Sequence, residues 1–137
     1  MLKVIFRSIS SLLLMISSVC YANEVSDLFE KNYPTAQEMG VLKCKLTSYN
    51  IIGSKLVLEH ERSTPIPLVE EGSTFSFKYG VNVTSGVMNN VDAETGSTWS
   101  TSGKDVFHRM RENGKLKYVY ESSFMKRVFI IKNCVPA

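Results

Sequence analysis

Residues 74–83 read TFSFKYGVNV and carry the strongest structural signal in the chain. Large apolar side chains alternate with polar or small ones through the whole stretch without a break. Successive side chains of a β-strand point to opposite faces, so this alternation predicts one half-buried strand. The side chains expected to face the core are Phe75, Phe77, Tyr79, Val81 and Val83.

Shorter stretches with the same period lie on both sides of this strand. Turn-forming residues separate them at short intervals, and no helical period intervenes. The pattern predicts an all-β domain over residues 41–137, an antiparallel meander of about seven or eight strands that closes into a small barrel or sandwich. The alternating residues are Leu42, Cys44 and Leu46; Leu56, Leu58 and His60; and Leu116, Tyr118 and Tyr120, followed by an apolar run at Val128–Ile131.

The first 22 residues have the features of a secretory signal peptide. Lys3 and Arg7 provide a basic start, and the apolar stretch that follows has about eleven residues, whereas a transmembrane helix needs about 20. Cleavage after Ala22 would release the protein into the periplasm or the extracellular space. A retained N-terminal anchor and a lipoprotein acylated at Cys20 are the alternatives.

Residues 23–40 predict a short helix followed by a linker. Ser26 can cap the helix, and Pro34 follows its expected end at Tyr33. The β domain begins directly after this segment.

Composition and charge exclude several classes of protein. The chain has 137 residues, is 44% hydrophobic and 21% charged, and so is neither disordered nor collagen-like. Loss of Lys3 and Arg7 with the signal peptide lowers the formal net charge from +3 to +1. A nearly neutral exported domain is a poor nucleic-acid binder, and we expect no transmembrane span in the mature chain.

Two cysteines, Cys44 and Cys134, remain after cleavage. Cysteine pairs in exported proteins usually form disulfides. Such a bridge would join the first predicted strand of the domain to the last. A metal-binding or redox pair is the alternative, but the chain has no Cys-x-x-Cys motif.

Asn113-Gly114 predicts a tight hairpin whose loop length decides which side chains face the core. A two-residue loop would place Arg109 and Arg111 on the apolar face. A three-residue loop pairs Arg111 with Lys115 and keeps both arginines outside. Because burying an arginine costs several kcal/mol, we expect the three-residue loop.

The three-residue register has two functional consequences. Val106, His108 and Met110 would share the inner face with the apolar side of the next strand. The outer face would form a basic ribbon, exposed to solvent or available to an anionic partner. The residues of this ribbon are Arg109, Arg111, Lys115 and Lys117.

The sequence contains no motif for nucleophilic, phosphate-transfer or zinc-protease chemistry. Its two histidines, His60 and His108, lie on separate strands without a fixed carboxylate, so we expect no metal and no cofactor. The main hypothesis is an exported, non-catalytic β domain that binds a small apolar ligand or a partner protein. The ligand-pocket candidates are His108, Tyr118, Tyr120 and Phe77.

Two other hypotheses stay open. Residues 85–102 are rich in Ser, Thr, Asn and Gly and predict a long loop with one poor strand around Trp99. An inhibitor or host-interaction protein could act through this loop or through the basic 109–117 hairpin. The third hypothesis is an enzyme of unrecognised type.

Overall fold

A computed structural model describes residue 30 and residues 32–137 of the protein. The predicted signal peptide and nearly all of the predicted helix over residues 23–33 lie outside these residues. Glu30 and Asn32 are helical, and a 3-10 turn at Ala36–Glu38 occupies the predicted linker. No helix in the described part of the chain is long and apolar enough to cross a membrane.

Antiparallel strands make up most of the described chain, which confirms the predicted all-β class. Residues 32–137 contain ten strands, against about seven or eight expected from the turn spacing. They are β1 (Gly40–Ile52), β2 (Lys55–Glu61), β3 (Ile66–Glu70), β4 (Phe75–Tyr79), β5 (Val81–Thr84), β6 (Asn90–Val91), β7 (Thr98–Ser102), β8 (Asp105–Glu112), β9 (Lys115–Ser122) and β10 (Arg127–Pro136).

All ten strands belong to one sheet with the order β5-β4-β3-β1-β10-β9-β8-β7-β6. β3 pairs with the first part of β1, and β2 pairs with the second part on the same edge. The hydrogen-bonded ladder does not join β5 to β6, so the predicted closure into a barrel is wrong. These end strands have only four and two residues, too few for a continuous ladder between them.

Residues 85–89 bridge the two ends of the sheet through separate side-chain and backbone contacts instead. Ser85 Oγ accepts the Phe75 N–H at 3.0 Å, and Ser100 Oγ donates to the Ser85 carbonyl at 2.5 Å. Met88 is buried in the core, and its N–H donates to the Ser73 carbonyl at 2.7 Å. Much of the predicted 85–102 loop is therefore part of the packed body, and the strand expected around Trp99 is β7.

Residues 74–83 form a hairpin rather than the single strand that their alternation predicts. β4 pairs with β5 around a turn centred on Gly80, and Phe77 lies opposite Val83. Residues that pair across this hairpin share one face of the sheet, and they are an even number of positions apart in the sequence. The alternation of apolar and polar residues therefore continues through the turn, as it would in a single strand. Gly80 has a φ of +73°, which glycine adopts without steric cost.

The hairpin between β8 and β9 has a two-residue loop, so the predicted three-residue register is wrong. Glu112 pairs with Lys115, Arg111 with Leu116 and Arg109 with Tyr118. Asn113 and Gly114 have φ values of 54° and 79°, as a type I′ turn requires at both central positions. The arginines face inward because carboxylates from distant parts of the chain meet them there.

An aromatic cluster forms the centre of the core. The rings of Phe107 and Tyr120 stack with centroids 4.7 Å apart, and Tyr120 also stacks on Phe129 at 5.5 Å. Phe75 packs against Tyr118 at 4.7 Å. Aromatic pairs at these distances contribute about 0.5–1.5 kcal/mol each beyond the area that they bury.

Cys44 and Cys134 form the predicted disulfide, with an S–S distance of 2.09 Å. The bridge lies beside a register irregularity between Lys43 and Lys45, where β1 pairs with β10. It therefore links the first strand to the last, and these strands are also neighbours in the sheet.

Candidate functional site

A cleft of about 510 Å³ opens between the 3-10 turn and strands β1, β9 and β10. We call it the apolar cleft, because carbon-rich side chains form most of its surface. Its volume falls in the range of about 300–1,000 Å³ that is usual for small-molecule sites. It is lined by Gln37, Glu38, Leu42, Lys115, Leu116, Tyr118, Cys134 and Pro136.

An ion pair holds the 3-10 turn in place as one wall of the apolar cleft. Arg111 Nη2 donates to Glu38 Oε1 at 2.6 Å, and Nη1 donates to Oε2 at 3.0 Å. Thr35 N–H donates to the same carboxylate at 3.0 Å. Burial favours the neutral acid, but the hydrogen bonds from Arg111 and Thr35 outweigh it and lower the pKa of Glu38. The carboxylate is thus ionised at neutral pH and already bound to the protein.

A second cleft of about 260 Å³ adjoins the first, and Lys115 and Leu116 line both. Lys117 and Lys132 also line this basic cleft. Lys117 Nζ donates to Glu112 Oε2 at 2.5 Å, so one carboxylate offsets part of the charge. Three ammonium groups against one carboxylate leave the basic cleft with a net positive charge.

A fully buried polar network adjoins the apolar cleft through Tyr118. Tyr118 from β9 donates its hydroxyl to Glu70 Oε2 at 2.6 Å. Arg109 Nη1 from β8 donates to Glu70 Oε1 at 2.8 Å and to the Gly72 carbonyl at 2.7 Å. Burial raises the pKa of Glu70, against the hydrogen bond from Tyr118 and the charge of Arg109. Burial and the Glu70 carboxylate also raise the pKa of Tyr118, so its hydroxyl remains a donor.

Arg109 is the largest side chain in the described part of the chain that solvent does not reach. Its guanidinium carbon lies 5.6 Å from the centroid of the Tyr33 ring, a distance typical of a cation–π contact. Its Nε and Nη2 atoms have no hydrogen-bond partner among the described residues. Arg109 and Glu70 are buried and do not line the apolar cleft, so Tyr118 is the member of the network that borders it.

The four ligand-pocket candidates occupy three different environments. Tyr118 lines the apolar cleft. Phe77 and Tyr120 pack against each other in the core, with centroids 5.8 Å apart. His108 lies on the opposite face, between Trp99 and Val119, because the two-residue loop turns it outward. Burial lowers the pKa of His108 despite the nearby Glu121 carboxylate.

The basic ribbon that the sequence predicts does not form. Arg109 and Arg111 lie on the inner face, where they pair with Glu70 and Glu38. Lys115 and Lys117 lie on the other side of the hairpin and line the basic cleft. The correction follows from the register, since a shift of one residue moves a side chain to the opposite face.

Sequence reasoning missed Lys132, Glu38 and Glu70. Lys132 is paired with Lys45 across β1 and β10, in a strand that we identified from its apolar run alone. Glu38 lies in the predicted linker, and Glu70 lies beside a turn signal at Glu71-Gly72. The only local signal is an excess of basic residues near the C-terminus, where residues 104–137 hold eight basic and three acidic side chains. Such an excess does not indicate the partner of each charge.

No group of three or more His, Cys, Asp or Glu side chains in the described residues is arranged to hold a metal ion. Comparison with known proteins found no matching family model, no similar curated protein and no similar solved structure. The functional argument therefore depends on the clefts themselves.

Proposed function

We propose that this is an exported, non-catalytic binding protein whose ligand is an amphipathic anion. The apolar part of the ligand would occupy the apolar cleft, and its carboxylate, sulfate or phosphate group would lie in the basic cleft. The observation that carries this proposal is the shared border of the two clefts, formed by Lys115 and Leu116. One molecule can therefore reach both environments.

The apolar cleft supplies a surface that favours a hydrocarbon chain. Leu42, Leu116 and Pro136 present carbon surface, and the disulfide sulfur of Cys134 adds polarizable surface. Burying roughly 200 Å² of hydrocarbon contributes about 5 kcal/mol before the costs of association are subtracted. This contribution alone favours binding of an acyl or aryl group over binding of a sugar.

The basic cleft supplies the polar end of the site. Lysine ammonium groups are point charges on flexible stems, so they accept anionic groups of different shapes. Lys115 and Lys132 have no ion-pair partner among the described residues, whereas Lys117 pairs with Glu112. Attraction at an exposed cleft is screened by salt, so affinity should fall as ionic strength rises.

A non-catalytic function is supported by the state of the carboxylates near the clefts. Glu38 is engaged by Arg111 and Thr35, and Glu70 is engaged by Arg109, Tyr118 and the Gly72 N–H. Neither group is free to act as a general base toward a molecule in the apolar cleft. Export is supported by the signal-peptide pattern and is compatible with the disulfide.

Calorimetry with dodecanoate and dodecanol tests this proposal, because the two probes differ only in the charged group. We expect dodecanoate to bind more tightly, and we expect Lys115→Ala/Lys132→Ala to reduce that affinity about tenfold while leaving dodecanol unchanged. Lys78→Ala/Lys104→Ala removes the same charge from exposed positions outside both clefts and serves as the matched control.

Each outcome bears on a separate part of the proposal. Equal binding of the two probes would reject the basic cleft as part of the site. Absence of binding by both probes would reject the apolar cleft and with it the proposed function.

A further inference from the structure

Three hairpin turns lie together at one end of the sheet, on neighbouring strands. The Ile51 N–H donates to the Lys126 carbonyl at 2.9 Å, which joins the β1–β2 hairpin to the β9–β10 turn. Ser123 Oγ donates to the Lys104 carbonyl at 2.7 Å, which joins the β9–β10 turn to the β7–β8 turn. We call this group the turn end, and its residues are 52–55, 102–104 and 123–126.

The turn end presents large apolar side chains to water. Phe124 is 94% exposed, Ile52 is 61% exposed and Met125 is 41% exposed. A single exposed apolar residue is common on protein surfaces, but a cluster of them marks an interaction site. These three lie on two turns that a backbone hydrogen bond joins, so they form one apolar tip.

Every charged residue of the turn end is basic. Its three segments read IGSK, SGK and SFMK, so each of them ends in a lysine. Lys55, Lys104 and Lys126 are all exposed, and none of them has an ion-pair partner among the described residues. The turn end therefore combines an apolar tip with three free ammonium groups.

The carboxylates that adjoin the turn end do not neutralise these lysines. Asp105 accepts a hydrogen bond from the Tyr120 hydroxyl at 3.1 Å, and Glu59 accepts one from Arg127 at 2.8 Å. Glu121 is half-buried within β9. Each of these acids belongs to a strand rather than to a turn, so the outermost charges at this end are positive.

We propose that the turn end binds the surface of an anionic lipid bilayer. Phe124 and Met125 would enter the boundary between the headgroups and the acyl chains, where binding strength grows with buried apolar area and with attraction to anionic lipids. Lysine stems can lie along apolar material while their ammonium groups reach the phosphates. A fluid bilayer accommodates a protruding side chain without a preformed groove, whereas a protein partner would need a matching apolar groove with acidic groups around it.

This inference is independent of the proposed ligand, because the clefts lie at the other end of the sheet. Leu42 and Pro136 line the apolar cleft and pair with each other at one end of the β1–β10 ladder. Asn50 and Arg127 pair at the opposite end of that ladder, beside the turn end. A protein bound through its turn end would keep both clefts away from the bilayer.

Vesicle flotation tests the proposal with two kinds of vesicle. We expect binding to vesicles made of equal parts of phosphatidylcholine and phosphatidylglycerol, and about tenfold weaker binding to vesicles of phosphatidylcholine alone. Phe124→Ser/Met125→Ser and Lys55→Gln/Lys126→Gln should each weaken binding to the anionic vesicles about tenfold. The first variant removes apolar area, and the second removes charge.

Matched control variants carry the same changes elsewhere on the surface. Val87→Ser/Val135→Ser removes two exposed apolar side chains, and Lys43→Gln/Lys78→Gln removes two exposed lysines. Both should bind vesicles as the wild type does, and circular dichroism checks that all four variants are folded. Absence of binding to anionic vesicles, or equal loss in the control and turn-end variants, would overturn the proposal.

Tryptophan fluorescence distinguishes insertion of the apolar tip from adsorption by charge alone. Phe124→Trp adds a fluorophore at the tip, and its emission, after subtraction of the wild-type spectrum, should shift to shorter wavelength when anionic vesicles are added. Val87→Trp should show no such shift. An unshifted emission from Phe124→Trp on vesicle-bound protein would contradict the insertion of Phe124.

Discussion

Arg109 and Glu70 form an ion pair, with 2.8 Å between Nη1 and Oε1, in which both side chains are excluded from solvent. The residues lie 39 positions apart in the chain, on β8 and β3. Removal of a charge from water is costly, and a buried pair recovers that cost only with good geometry and further hydrogen bonds. Tyr118 and the backbone of Gly72 supply these bonds.

Removing one member of this ion pair should destabilise the protein more than replacing both members with uncharged residues. Glu70→Gln leaves the buried Arg109 charge without a counter-ion, and we expect it to lower the free energy of unfolding by about 3–5 kcal/mol. Arg109→Met/Glu70→Gln removes that charge as well and should lose less than the single variant. Urea denaturation measures the free energy of unfolding of the wild type, the single variant and the double variant. Glu61→Gln removes an exposed pair with Lys45 and should change stability little. A double variant less stable than Glu70→Gln would contradict this account.

Removal of the disulfide should reduce both stability and ligand binding. The bridge closes a loop with a sequence separation of 90, and by the chain-entropy model such a loop is worth about 4–5 kcal/mol. Because Cys134 also lines the apolar cleft, Cys44→Ala/Cys134→Ala should weaken dodecanoate binding.

Thermal melts and calorimetry measure the two effects of this change. The wild type under reducing conditions should match the double variant, since both lack the bridge. A variant as stable as the oxidised wild type would show that the bridge contributes nothing to stability.

Acidification should detach the 3-10 turn from the sheet. The folded protein lowers the pKa of Glu38 below its ordinary value of 4.5, so the ionised form stabilises the fold above that pH. This stability is lost as the pH falls through the folded pKa, because the protonated acid no longer pairs with Arg111. Urea denaturation between pH 7 and pH 3 follows the loss.

The matched variant for this effect is Glu38→Gln. It should be less stable than the wild type at pH 7 and should lose less stability on acidification. Parallel stability curves for the two proteins would show that Glu38 is not a source of the pH dependence.

The inward faces of β1, β4 and β9 were predictable from local pattern. Those of β2 and β5 were predicted wrongly, since Leu56, Leu58 and Val81 are 54%, 59% and 70% exposed, and the face of β8 was inverted. Leu42, Cys44 and Leu46 are all buried, as their alternation indicates, and so are Leu116, Tyr118 and Tyr120. The disulfide was also predictable, because only one pair of cysteines remains after the predicted cleavage. These features depend on residue type and on spacing along the chain, which are local properties.

The candidate site was only partly predictable. Tyr118, Lys115 and Lys117 were singled out from the sequence and line one or both clefts. Glu38 and Lys132 were not, because nothing near either residue indicates which distant side chains it will meet. The apolar cleft exists only where the 3-10 turn, β1, β9 and β10 come together.

Residue order alone determined that this protein is built from strands, which side chains alternate and which cysteines can pair. Tertiary structure decided where the chain reverses and in what register, because side-chain alternation is unchanged when residues 74–83 turn back at Gly80. Tertiary structure also determined that Arg109 is buried. A buried charge is tolerated only beside a counter-charge. Glu70 lies beside Arg109 because β3 and β8 pack together in the folded sheet.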